Sequence, residues 1–86
     1  MVRIWAKVMK GSKIIKQFMF EKQTSIDYSE FFDYLREICE NLEIATPVLI
    51  KTHLLNFAKY NNVRFTQNDF VETISFDKLV LENAFI

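Results

Sequence analysis

The sequence predicts an α+β domain: an N-terminal β-hairpin, two central helices, a short turn or helix, and a C-terminal strand that joins the hairpin in a three-stranded antiparallel sheet covered by the helices on one face. Three observations carry this. Two β-rich runs, residues 2–9 and 13–21, flank Gly11-Ser12. Apolar residues between Tyr28 and Leu42 recur at spacings of three and four. Residues 76–85 alternate enough to form a strand.

Gly11 supplies the positive φ that a two-residue hairpin turn needs. With Gly11-Ser12 as the loop, Trp5 faces Phe18, Lys7 faces Lys16 and Val8 faces Ile15. One side of the hairpin then carries Val2, Ile4, Ala6, Val8, Ile15 and Met19. The other carries Arg3, Trp5, Lys7, Ile14, Lys16, Phe18 and Phe20. A one-residue change of register would move Phe18 and Phe20 to the first side.

The first helix spans about residues 28–43. Asp27 and Glu30 have the spacing of a capping pair. Tyr28, Phe31, Phe32, Leu35, Ile38, Cys39 and Leu42 form the stripe that meets the core. Thr46-Pro47 restarts the chain, Thr as cap and Pro at the first helical position. The second helix, about residues 47–60, buries Val48, Ile50, Leu54, Phe57 and Ala58 and stops at Asn61-Asn62. Thr66 caps a short turn through Asp69, pinned to the core by Phe65 and Phe70.

The 86 residues make one domain, 1–86, without repeats or linker; 50% are hydrophobic and nine are Phe, which excludes disorder. A chain of this size buries only about 60 to 65% of its unfolded surface, so it needs a dense core or a partner. The single Cys39 favours a cytoplasmic setting. Residues 1–10 are interrupted by Arg3, Lys7 and Lys10 and build no signal peptide, and no apolar run is long enough to span a bilayer, so no membrane role is expected.

The zero net charge conceals a separation. Residues 1–24 hold six cations against Glu21 alone, a net of +5, whereas residues 25–43 hold Arg36 against six carboxylates, a net of −5. Glu30, Asp33, Glu37 and Glu40 follow one another at helical spacing along one outward stripe. Their mutual repulsion costs roughly 0.2 to 0.5 kcal/mol per pair, partly offset by Arg36. The stripe reads as a solvated face or as a docking surface for a basic partner. On the hairpin, Arg3, Trp5, Lys7, Lys16, Phe18 and Phe20 form a candidate interaction surface. Aromatic faces stack bases and cations neutralise phosphates, so a single-stranded nucleic-acid platform is one reading. Core packing, self-association and a protein partner are the others.

Catalytic chemistry is not expected. The chain has one His, one Cys and one Gly, which rules out GxGxxG, a phosphate-binding GxxxxGK loop and GxSxG. His53 reads as a surface residue on the polar side of the second helix and cannot build a zinc site alone. Cys39 reads as a small buried hydrophobe with a raised pKa. No cofactor, metal or small-molecule substrate is suggested. The expected role is a non-catalytic interaction domain that binds a protein or a second copy of itself, with weak single-stranded nucleic-acid binding as the alternative.

Residues Arg3-Ile4-Trp5-Ala6-Lys7-Val8, the Lys-x-x-Lys-Ile-Ile-Lys turn from Lys10 to Lys16, and the Arg64-Phe65, Asp69-Phe70-Val-Glu and Phe76-Asp77 pattern resemble a group of small proteins of clostridia-like Firmicutes with no assigned activity. The resemblance covers most of the chain and implies a bacterial cytosolic protein.

Overall fold

The computed structural model describes residues 1–85. Strands β1 (Val2–Lys10) and β2 (Lys13–Lys22) form the hairpin, and helices α1 (Phe31–Leu42) and α2 (Lys51–Tyr60) follow. Strands β3 (Asn62–Thr66) and β4 (Lys78–Asn83) complete an antiparallel sheet of four strands in the order β2-β1-β4-β3. The α+β class and the hairpin stand, but the expected sheet of three strands is corrected to four. The additional strand, β3, follows α2 after a single residue. Asn61 takes the left-handed conformation (φ 59°) and turns the chain directly from helix to strand, so no loop marks the change of period.

The hairpin register is also corrected. Beside the turn the pairs are those the loop demands, Lys10 with Lys13 and Met9 with Ile14, but Val8 then pairs with Lys16, leaving Ile15 as an extra residue on β2. This β-bulge moves every later pair by one. Ile4 therefore faces Phe20, Ala6 faces Phe18, and Trp5 faces Met19. Phe18 and Phe20 leave the side predicted for them and join Val2, Ile4, Ala6 and Val8, while Met19 goes the other way. The wet alternative for Phe20 is costly, since burying such a ring contributes roughly 1.5 to 3 kcal/mol.

Helices α1 and α2 cover that face: α1 packs on β2, and α2 on β3 and β4. From α1 come Phe31, Tyr34, Leu35, Ile38, Cys39 and Leu42, all buried. Three assignments to the stripe change, since Tyr28 and Phe32 are exposed and Tyr34 is buried. The Tyr34 ring lies 5.2 Å from that of Phe20, while its hydroxyl accepts the Asp27 N–H at 3.2 Å, so the phenol tip is satisfied at the edge of the core. Phe57 of α2 meets Phe31 at 5.0 Å and links the two helices, and Val63, Phe65, Leu79 and Leu81 close the core from β3 and β4.

Asp27 initiates the helical segment through a 3₁₀ turn, Tyr28–Glu30. Its carboxylate accepts the Ser29 N–H and hydroxyl at 2.9 and 2.6 Å; chiefly the hydroxyl bond and then the backbone one hold its pKa below the usual value. Helix α1 stops at Glu43, which is left-handed (φ 57°): its N–H reaches Glu40 O at 3.2 Å and that of Ile44 reaches Cys39 O at 3.0 Å, a Schellman closure without glycine. Lys16 Nζ donates to Leu42 O at 2.8 Å, placing a cation at the negative end of the helix.

Helix α2 begins four residues later than expected, at Lys51 rather than 47. The residue before a proline is disfavoured in the α conformation. Pro47 is buried, and the Val48 N–H is committed to Asp69 O at 2.8 Å, so this stretch packs as a non-helical connection. Val48, Ile50 and Ala58, predicted to be buried, are exposed. The expected Thr66 turn is present as a 3₁₀ turn, Gln67–Asp69, with the Thr66 N–H donating to Asp69 Oδ2 at 2.8 Å.

Candidate interaction surfaces

Alternation along the strands sends a second set of side chains to the face that no helix covers. It comprises Arg3, Trp5, Lys7 and Met9 of β1, Ile14, Gln17, Met19 and Glu21 of β2, Asn62, Arg64 and Thr66 of β3, and Lys78, Val80 and Glu82 of β4. Of the six hairpin residues proposed as an interaction surface, Arg3, Trp5 and Lys7 lie here. Lys16, Phe18 and Phe20 lie on the opposite side: Phe20 is buried, Phe18 is packed against the core and Lys16 reaches α1. The bulge at Ile15 separates the two groups. No residue pattern in β2 distinguishes a bulged strand from a regular one, since both readings place apolar residues at alternate positions.

Trp5 lies near the centre of the open face and is held on three sides. Its Nε1–H donates to Gln17 Oε1 at 3.0 Å, Met19 is its cross-strand neighbour, and Lys7 Nζ lies 4.3 Å from its ring centroid. Lys7 also meets Glu82 Oε1 at 2.6 Å, and Arg3 Nε meets Glu21 Oε2 at 2.7 Å. The Lys7 side chain is only 14% exposed, whereas Arg3 and Glu21 are at 40% and 44%, so the Lys7 pair is the better shielded. Of the three cations of the predicted nucleic-acid platform, Arg3 and Lys7 thus already have carboxylate partners and Lys16 donates to the Leu42 carbonyl.

The cross-strand pairs order these charges along the strands. Glu82 lies opposite Trp5, Val80 opposite Lys7, and Lys78 opposite Met9; Arg64 lies opposite Val80. Glu21 and Glu82 therefore lie toward one end of the face, with Arg3 beside Glu21. Lys7, Arg64 and Lys78 lie toward the end that carries the hairpin turn. Apolar side chains are interspersed among these charges: Trp5 and Met19 lie level with Glu82, Val80 level with Lys7 and Arg64, and Met9 level with Lys78.

The acidic stripe lies on α1, away from this face. Glu30, Asp33, Glu37 and Glu40 are all exposed, and the one ion pair they make among the described residues is that of Asp33 with Arg36, at 3.4 Å.

His53 is where the sequence reading fails most clearly. Expected on the surface, it is 7% exposed: Nδ1 accepts the Ile50 N–H at 3.1 Å, Nε2 lies 3.5 Å from Asp69 Oδ1, and the ring sits 4.5 Å from that of Phe65. It replaces the missing side-chain cap of α2 and ties that helix to the 3₁₀ turn. The signal was its spacing of four from Phe57, which puts both on one helical face. Cys39 is buried, and desolvation pushes its thiol up to about 11 against a smaller opposing pull from the Thr46 hydroxyl. Among the described residues no three His, Cys, Asp or Glu side chains are grouped to hold a metal ion, and no helix is long and apolar enough to cross a membrane.

One groove lies at the hairpin end of the molecule, with a volume of ≈ 330 Å³. It runs between β1, β2, the residues that follow α1, and the connection from the 3₁₀ turn to β4. No protein-family model, curated protein or solved structure matches this chain.

Proposed function

We propose that this chain is a small, non-catalytic interaction domain that pairs with a second copy of itself through the uncovered face of its sheet. The observation that supports this is the charge order around Trp5. Carboxylates gathered toward one end and cations toward the other, with apolar side chains interspersed, are complementary to their own image once the strands of the two copies run in opposite directions. Two such sheets then pack Trp5, Met9, Met19 and Val80 of each copy together, with the cations of one over the carboxylates of the other. Single-stranded nucleic acid has less support. A stacking platform needs several exposed rings, and only Trp5 of the three proposed aromatics lies on the open face.

Trp5 is the only tryptophan, so its fluorescence reports on this face alone. Sedimentation velocity between about 1 μM and 1 mM, the range of modest association energies, should show a monomer–dimer equilibrium with blue-shifted Trp5 emission in the dimer. Trp5→Glu should be monomeric throughout. A wild-type chain that remains monomeric over the whole range, or a Trp5→Glu variant that dimerises equally well, overturns the reading. Binding of an oligothymidine by the monomer that is lost in Trp5→Ala replaces it with the nucleic-acid alternative.

A further inference from the structure

We infer that the groove at the hairpin end is a docking site for an extended segment of another protein, one carrying a bulky apolar residue flanked by Lys or Arg. Shape comes first. The floor is formed by the buried Val8 and Phe76, and the walls by Ile15, Ile44 and Ile74. At ≈ 330 Å³ the groove lies at the small end of the range for ligand pockets, about 300 to 1,000 Å³, which suits one large side chain with its backbone better than a cofactor.

The backbone along the groove supplies the second argument. The chain is tied down at Phe70, whose N–H reaches Gln67 O at 3.3 Å, and at Asp77, whose N–H reaches Met9 O at 2.9 Å. Between them, residues 71–75 belong to no helix or strand and make no hydrogen bond to any other described residue. Residues 72–75 line the groove, and their N–H and C=O groups have no partner among the described residues, as those of a sheet edge have none before a peptide adds as a strand.

Charge then selects the occupant. Glu43 and Glu72 line the groove, and neither is in an ion pair among the described residues. The one cation lining it, Lys16, is committed to the Leu42 carbonyl. Behind Glu43, the carboxylates of Glu40 and Glu37 continue along α1. Cationic flanks are attracted here and anionic flanks repelled. The chain's own basic and apolar segment, residues 13–16, is already part of β2, so the occupant comes from another protein.

The test uses synthetic octapeptides with one central Phe flanked by Lys residues, and matched peptides flanked by Glu. The Lys-flanked peptide should shift the methyl resonances of Ile15, Ile44 and Ile74 and bind at least tenfold more tightly than the Glu-flanked one at low salt. The double variant Glu43→Lys, Glu72→Lys should reverse that preference; both side chains are exposed, so the fold is retained. The Trp5→Glu variant should bind as the wild type does, which separates this site from the self-association face. Equal binding of the two peptides, no methyl shift up to millimolar peptide, or an unchanged preference in the double variant overturns the inference.

Discussion

The two faces of the sheet are made from the same strands by different means. On the covered face, rings and branched side chains interlock with α1 and α2, and the polar atoms that enter, Tyr34 Oη and His53 Nδ1, each have a partner. On the open face, Trp5 is held by an amide, a cation and a thioether neighbour, and the charges are paired at 2.6 and 2.7 Å near its rim. The first arrangement derives its strength from removing apolar area from water and is insensitive to salt. The second derives little from its exposed ion pairs, about 0.2 to 1 kcal/mol each, and leaves apolar side chains available to a partner. Stability thus comes mainly from one side of the layer, and the side proposed for recognition adds little to it.

The most drastic way to break this division is to insert one residue between Lys16 and Gln17. With the turn and the bulge unchanged, the insertion carries Phe18 and Phe20 to the open face, whereas deleting Ile15 would only remove the bulge and leave Ala6 opposite Phe18 and Ile4 opposite Phe20. The insertion should abolish the cooperative thermal transition followed by circular dichroism; a melt within a few degrees of the wild type would show that register does not direct these rings.

Single truncations sharpen the contrast. Phe20→Ala should cost about 3 to 5 kcal/mol in denaturant titration, as large cavities in packed cores do. Its neighbour Met19→Ala, on the wet side, should cost under about 1 kcal/mol while weakening self-association. Comparable losses at the two positions would refute the asymmetry.

Smaller effects probe the borders. Glu43→Gly relieves a left-handed residue and should stabilise the monomer by about 1 kcal/mol, measured by the denaturation midpoint. The thiol of Cys39 reports the dryness of the covered side. Its folded pKa is raised, so its contribution to stability is present below the ordinary value near 9 and is lost as pH rises toward about 11. Replacing it by Ala should flatten that part of the stability profile, and a thiol reagent at pH 8 should modify the native protein slowly.

Much of the covered face was legible in the sequence because the period of the apolar residues carries it. Phe31, Leu35, Ile38, Cys39 and Leu42 could sit nowhere else on a helix starting at Asp27, and Gly11-Ser12 marks the turn. The open face was legible only along β1. What lay opposite Trp5 depended on one extra residue in β2, and a bulge leaves no mark in composition or in alternation. His53 was misplaced because a polar side chain beside Lys51 and Thr52 reads as surface until its two partners, the Ile50 amide and Asp69, are brought to it by the fold. The fourth strand was hidden because Asn61 joins helix to strand without a loop. The charge order of the open face depends on β3 and β4 as well as the hairpin, so no local segment displays it.

The position of β4 between β1 and β3 has a consequence for the order of events during synthesis. The first strand to be made finds one of its two sheet neighbours only in residues 78–83, and β3 has no other strand partner among the described residues. A nascent chain that has not yet exposed residues 78–83 to solvent can close the hairpin and form nascent helix, but it holds Ala6, Val8, Val63 and Phe65 without the strand that joins them. Folding of this chain is accordingly a late, concerted event dominated by contacts between distant residues. Until then its apolar strand residues stay without their partners, the condition in which exposed strands aggregate.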